Sequence, residues 1–456
     1  MSDGTSVVNG TQKLGLGAYL GYGVGDLAVN LFFQSAIIYL LYFYTDVFGI
    51  SAAAAGTIFL VARLVDAVTD PIMGMIADRT KTKWGKFRPY ILFGAPPLAV
   101  IAIAMFSVPD LDADGKVIYA YATYIAFSIA YTIVSIPYSG LTALITNDAT
   151  ERTTLSAYRM AFALGGGIIV GVGTQPLVTL LGGGAQGFQM TLGLYGVLAV
   201  LLLALTFVQT EERVVAVDTK PPSFSDMISV MSRNLPLWLL IVAFLMGMLA
   251  YILRSSAVIY YFQYNLERSD LFPVYMLFTL LGQLAGIVVT PWVASKWGKK
   301  NTFVIGALLG MVTGVALYLT PYDALGAIFV ISAAGSFFFA APTVLGWAML
   351  PDTVEYAEWK QGVRADGAIY ATSSFFQKLA MAVGGALAAA VLSTTGYVAG
   401  EAQSPEALEG ILLMVSMAPV VMMAIGIIAI WFYPLDEEMH ATIRAELDER
   451  RGAVVN

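Results

Sequence analysis

The sequence predicts an all-α membrane protein of about twelve transmembrane helices, built as two pseudo-symmetric six-helix halves. Three observations predict it. The 456 residues are 58% hydrophobic and only 12% charged, about half the charge fraction of a soluble domain. The apolar residues fall into runs long enough to cross a bilayer. A tetrapeptide recurs near half the chain length, in the corresponding loop of each half.

The composition excludes much. There is no cysteine and a single histidine, His440, which removes disulfides, thiolate sites and histidine-rich metal centres. No cleavable leader is expected, because residues 1–13 are short and polar and the first apolar run exceeds a signal core. The sequence holds no Walker loop, nucleophile triad or metal-ligand cluster. Neither an enzyme, a chain that uses bound ATP nor a nucleic-acid binder is expected, and no cofactor beyond a coupling ion.

The spans are placed at about 15–45, 51–77, 89–109, 116–146, 152–182, 187–209, 234–263, 270–294, 302–320, 324–350, 366–395 and 407–433. Each can cross a hydrocarbon core of roughly 30 Å. Arg79, Lys81, Lys83, Lys86 and Arg88 follow the second span, and Lys296, Lys299 and Lys300 follow the eighth. The opposite loops carry Asp46, Asp110, Asp112, Asp114, Asp323, Glu401, Glu406 and Glu409, with Lys116 and Arg268 their only bases. The positive-inside rule therefore puts both termini in the cytoplasm of a cell with an inner (plasma) membrane.

The repeat is Lys83-Trp84-Gly85-Lys86 and Lys296-Trp297-Gly298-Lys299. Parallel six-helix repeats are the layout of the major facilitator fold. The domains follow as 1–209, an N-terminal bundle; 210–233, a cytoplasmic linker with Glu211, Glu212 and Pro221-Pro222; 234–434, a C-terminal bundle; and 435–456, a solvated cytoplasmic tail.

Ionisable groups inside the spans mark function, since each costs several kcal/mol in lipid. Asp26 lies in the first span, Asp66 and Asp70 in the second, Arg159 in the fifth and Lys378 in the eleventh. Asp26 and Asp66 each lie about 16 Å from the cytoplasmic end of their helix. Asp70 lies one turn beyond Asp66 on the same face. Three acids thus converge at similar depth, where repulsion favours uptake of a proton or a hard cation. The alternative is that Asp66 merely pairs with Arg63. Arg159 and Lys378 sit on repeat-related spans and suit hydroxyls or an anionic group, or each neutralises an aspartate. Tyr22, Tyr131, Tyr138, Trp347, Phe376 and Gln377 complete a candidate sugar pocket of aromatic faces and an amide.

The stretch Arg63-Leu64-Val65-Asp66-Ala67-Val68-Thr69-Asp70-Pro71, followed by Lys83-Trp84-Gly85-Lys86-Phe87-Arg88-Pro89, resembles the signature of the glycoside–pentoside–hexuronide:cation symporters, whose familiar members are the melibiose permeases. Tyr44-Thr45-Asp46-Val47, Tyr131 to Tyr138, and Asp352 to Lys360 with Gly362-Val363-Arg364 also match. The resemblance implies a cation site at Asp66 and Asp70, holding Na⁺ if sodium is the coupling ion, with Thr132 as a further ligand. It implies sugar binding by Asp26 and Arg159, Lys378 near both sites, and Trp347 near the pocket. Ser135 stands where melibiose permeases have an aspartate linking the two sites, and Ser139 where they have a stacking tryptophan.

The expected function is a monomeric symporter in the lipid bilayer, coupling uptake of a sugar, glycoside or uronide, including anionic ones, to Na⁺ or H⁺ by alternating access. Two alternatives differ in what they require. A lipid or amphiphile transporter on the same fold needs a wide apolar cavity open to lipid. A non-transporting receptor needs an output domain, for which the segment after Pro434 is too short.

Overall fold

The computed structural model describes residues 13–146, 148–213, 232–362 and 366–455. All regular structure among them is helical apart from one isolated bridge, Thr82 to Gly85. Among the described residues, twelve helical segments are long and apolar enough to cross a membrane, from Leu16–Phe48 to Pro405–Trp431. They coincide with the expected spans to within a few residues at most ends. Most of the expected linker, residues 214–231, lies outside the described residues, as do Val363 and Arg364 of the matched loop.

The chain divides into two compact units between residues 218 and 219. The first contains α1 (Leu16–Tyr42), α2 (Ala52–Arg79), α3 (Arg88–Met105), α4 (Ala113–Ile145), α5 (Ala149–Leu180) and α6 (Gly184–Gln209). Ser51, Asp112 and Asp148 cap α2, α4 and α5 with their side chains, satisfying amides that have no partner within the helix. Helix α2 runs on through Pro71, so the sequence carrying both acids is a single helix.

The second unit contains α7 (Leu235–Tyr260), α8 (Phe272–Trp297), α9 (Lys299–Leu319), α10 (Leu325–Ala348), α11 (Leu350–Gln361), α12 (Asp366–Thr394), α13 (Pro405–Val415), α14 (Met417–Trp431) and α15 (Glu437–Val455). Helices α13 and α14 are one span broken at Ser416, whose φ of −122° and ψ of −76° leave the helical region.

The repeat seen in the tetrapeptide extends to the packing. In the first unit α1 packs on α5 and α6, α3 on α4 and α6, and α2 on α4. In the second unit α7 packs on α12 and α14, α9 on α10 and α14, and α8 on α10. These are the same five pairings between equivalent spans. A π-helical turn also ends the first span of each unit, at Phe43–Phe48 and Tyr261–Asn265.

Two expectations are corrected. The matched loop before the eleventh span is largely a helix, α11. The solvated tail is instead a docked helix, α15, with Ile443 and Leu447 buried, Met439 packed beside them and Leu435 buried just before it. Met439, Ile443 and Leu447 recur every four residues, so one face is apolar despite the charge on the others. Polar contacts hold it as well. Trp359 Nε1 donates to Glu446 at 2.7 Å, and His440 Nε2 lies 2.7 Å from Glu355. Asp352, which receives Lys299 Nζ at 2.7 Å, lies 3.5 Å from the same histidine.

Candidate functional site

The first cluster is built where α1, α4 and α5 meet. A Cβ on Gly25 would lie 2.5 Å from the Tyr138 ring and 2.8 Å from the Thr206 hydroxyl. Lacking one, α1 lets Tyr138 close in beside Asp26. The Tyr138 hydroxyl donates to the Tyr22 carbonyl at 2.7 Å, the two rings stack at 5.0 Å, and the Tyr22 hydroxyl bonds that of Thr142. Tyr138 is therefore a fixed platform.

Arg159 of α5 lies over that platform, its guanidinium carbon 5.4 Å from the ring centroid, a cation–π geometry. Its Nε is 3.3 Å from Asp26 Oδ1, and Nη2 donates to Ser139 Oγ at 3.4 Å. The arginine side chain is 35% exposed against 11% for the aspartate. The remaining guanidinium donors are thus the part of this pair that a hydroxylated or anionic ligand can reach.

The second cluster is a ladder between α2 and α4. Asp66 and Asp70 are four residues apart on α2, and Ser128 and Thr132 are four apart on α4, so each pair stacks on one helix face. The Ser128 hydroxyl donates to Asp66 Oδ1, and Thr132 Oγ1 donates to Asp70 Oδ1 at 2.8 Å. Arg63 Nη1 meets Asp66 Oδ2 at 2.6 Å, and Arg63 Nη2 donates to the Tyr124 hydroxyl at 3.3 Å. Two carboxylates and two hydroxyls form a hard-oxygen set of the kind alkali cations or protons use. Among the described residues no group of three or more His, Cys, Asp or Glu could hold a metal ion. A Na⁺ site here would rest on two acids and neighbouring hydroxyls.

The expected gathering of three acids is met in part. Asp66 and Asp70 share the ladder, whereas Asp26 is paired with Arg159, the arrangement that best offsets desolvation of both. The Arg63–Asp66 pairing weighed from the sequence is also present. Tyr131 stacks on Phe33 at 6.1 Å and lies within electrostatic reach of Asp26 and Arg159 as well as Arg63 and Asp66. Ser135 is half-buried on α4, one turn from Thr132 and Tyr131.

The other candidates belong to the second unit. Gln377 and Lys378 are half-buried on α12, and Trp347 near the end of α10 meets Phe244 edge-on at 5.2 Å. Phe376 meets Trp238 edge-on at 5.7 Å. The sequence reading missed Ser128 and Tyr124, which carry no mark beyond lying near Thr132. It also missed Arg254, an arginine inside the seventh apolar run and visible there.

Twelve apolar spans in two like-packed units, with paired charges inside the first, define a multi-pass membrane transporter of the major facilitator type rather than an enzyme. The chain belongs to the MFS/sugar transport protein family, which it matches over residues 21–437. It is 40% identical over 452 residues to the uncharacterized symporter YnaJ of Bacillus subtilis (strain 168), covering 96% of both chains. It is 37% identical over 446 residues to the isoprimeverose transporter of Lactiplantibacillus pentosus, covering 94% of this chain and 91% of that one. The crystal structure of the D-xylose-proton symporter shares the fold, with a TM-score of 0.65 at 14% identity over 92% of this chain and 97% of the other.

Proposed function

We propose that this protein imports a sugar or glycoside together with Na⁺ or H⁺ by alternating access, across a bacterial inner membrane and with both termini cytoplasmic. The ladder on α2 and α4 takes the cation through Asp66 and Asp70, helped by Ser128 and Thr132. The Asp26–Arg159 pair on its Tyr138 platform takes the sugar, its guanidinium binding hydroxyls and the neighbouring aromatic faces stacking on CH groups. Tyr131 and Ser135 lie on the helix that serves both clusters. Trp347, Gln377 and Lys378 supply the second unit's share of the sugar site.

The observation that carries this reading is the ladder: two intramembrane acids one turn apart, each fed by a hydroxyl from the same neighbouring helix. A structural ion pair would need only Asp66 and Arg63, and would leave Asp70 and Thr132 without purpose. The likeness to the isoprimeverose transporter supports a glycoside cargo. Basic loops beside the repeated tetrapeptides support the orientation.

The test is uptake of labelled glycosides into vesicles under an imposed Na⁺ gradient or pH gradient, with cargo first chosen by thermal-shift screening of xylosides, galactosides and glucuronides. The gradient that drives accumulation identifies the ion. Asp66→Asn abolishes accumulation while leaving binding measurable. Full coupled uptake by that variant overturns the assignment.

A further inference from the structure

The second unit contains a cavity of about 110 Å³ bounded by α7, α8, α9, α10 and the break between α13 and α14. It contains Arg254, an arginine within a membrane span that the transport reading leaves unused. Arg254 lies eleven residues before Asn265, the end of its span, or about 16 Å along the helix. A guanidinium is a fixed positive charge with five donors and no acceptor.

In the first unit both arginines inside the helix bundle have an acid, Arg63 with Asp66 and Arg159 with Asp26. Arg254 differs. Among the described residues its one hydrogen bond is from Nη2 to the Tyr275 hydroxyl at 3.1 Å, and no carboxylate pairs with it. Gly335 lies beside the other nitrogen: a Cβ there would sit 3.5 Å from Nη1, an ordinary contact, and 2.8 Å from the Thr313 hydroxyl. Ser255, Gln283 and Ser336 line the same cavity, and none has a hydrogen-bond partner among the described residues. Most of the remaining wall is apolar, with Met276 and Phe339 prominent.

A fixed positive charge, unused hydroxyl and amide donors and no competing acid are the complement of a negative ion. We propose that this cavity binds a small monovalent inorganic anion, held by Arg254 and by donors from Ser255, Gln283 and Ser336. The space holds such an ion with a few waters, each taking about 30 Å³. Binding compensates a charge that the apolar walls leave exposed to a low dielectric. The anion is a structural or modulatory ligand of the second unit, separate from the Asp26–Arg159 pair in the first.

The experiment uses the purified full chain in detergent at fixed ionic strength, moved stepwise from potassium gluconate, whose anion is bulky for this space, to chloride or bromide. The melting temperature rises saturably, by about 3–5 °C once the halide reaches a hundredfold excess over its Kd. Arg254→Gln loses the response, and Arg254→Lys retains a weaker one. A flat wild-type titration, or an equal response in Arg254→Gln, overturns the proposal. If Arg254→Gln does not fold, bromide-soaked crystals of the wild type decide: an anomalous peak within hydrogen-bond reach of the guanidinium supports the site, and its absence there refutes it. A saturable shift with glucuronate but none with halides overturns the inorganic-anion assignment and gives the cavity to an organic acid.

Discussion

The carboxylate of Glu212 fills the space that a side chain on Gly85 would take. A Cβ there would lie 2.6 Å from the carboxylate, and Gly85 has φ +105°. Glu212 accepts from the amides of Lys86, Phe87 and Arg88 at 2.6, 2.7 and 3.0 Å. It thereby caps α3 from beyond the end of α6, at the terminus where a negative charge is most favourable. The second unit repeats the device. Glu437 accepts from the Lys299 amide beside Gly298, which has φ +84°. The repeated Trp-Gly-Lys is thus a seat for an acid that follows the sixth span.

Glu212→Ala should cost about 1–2 kcal/mol, the range for a lost helix cap. Gly85→Ala should cost at least as much, because it adds backbone strain to the clash. Thermal melting of the purified variants checks both. Glu212→Gln, which keeps one acceptor oxygen, should fall between wild type and Glu212→Ala.

Ser128→Ala and Thr132→Ala should each weaken cation affinity about 10–100-fold, the worth of one hydrogen bond to a charged group. Sugar binding without the cation should change little. Isothermal titration with the cation, with and without sugar, separates the two effects. Equal loss of sugar binding in cation-free buffer would place these hydroxyls in the sugar site instead.

Arg159→Ala should lower sugar affinity by about 2 orders of magnitude and also destabilise the fold, since it strands Asp26 as a buried unpaired charge. The double variant Asp26→Asn, Arg159→Gln should recover much of the stability but not the binding. Recovery of both would make the pair structural.

Removal of residues 437–456 should lower the melting temperature by several degrees. It uncovers the apolar surface beneath Ile443 and Leu447, each worth about 1.5–3 kcal/mol when fully buried. It also removes the cap from α9. Trp359→Phe, which loses the bond to Glu446 and some packing against Tyr356, should cost about 1–2 kcal/mol.

The spans were legible because lipid demands unbroken apolar runs, and the acids because charge is conspicuous within them. Helix positions suggested one gathering of three acids; instead Asp66 and Asp70 meet Ser128 and Thr132, and Asp26 meets Arg159. Their partners were less legible. Ser128 resembles any serine in a membrane helix until α2 and α4 are packed side by side, and Ser139 gains meaning only beside Arg159. Glu212 reads as linker because its ligands, the amides of α3, are more than a hundred residues away in the chain. The docked α15 was hidden for a different reason: its apolar stripe, at Met439, Ile443 and Leu447, is interrupted by more numerous charges.

The paired acid seats bear on how the protein is made. Each six-helix repeat carries its own fastener, and every group that fastener needs lies within that repeat. During synthesis the first repeat has its complete set once Glu212 has left the ribosome, before α7 has emerged. The last step of the second is postponed until Glu437 emerges behind α14, so nascent chains truncated before it should leave that repeat unlatched and open to quality-control proteolysis.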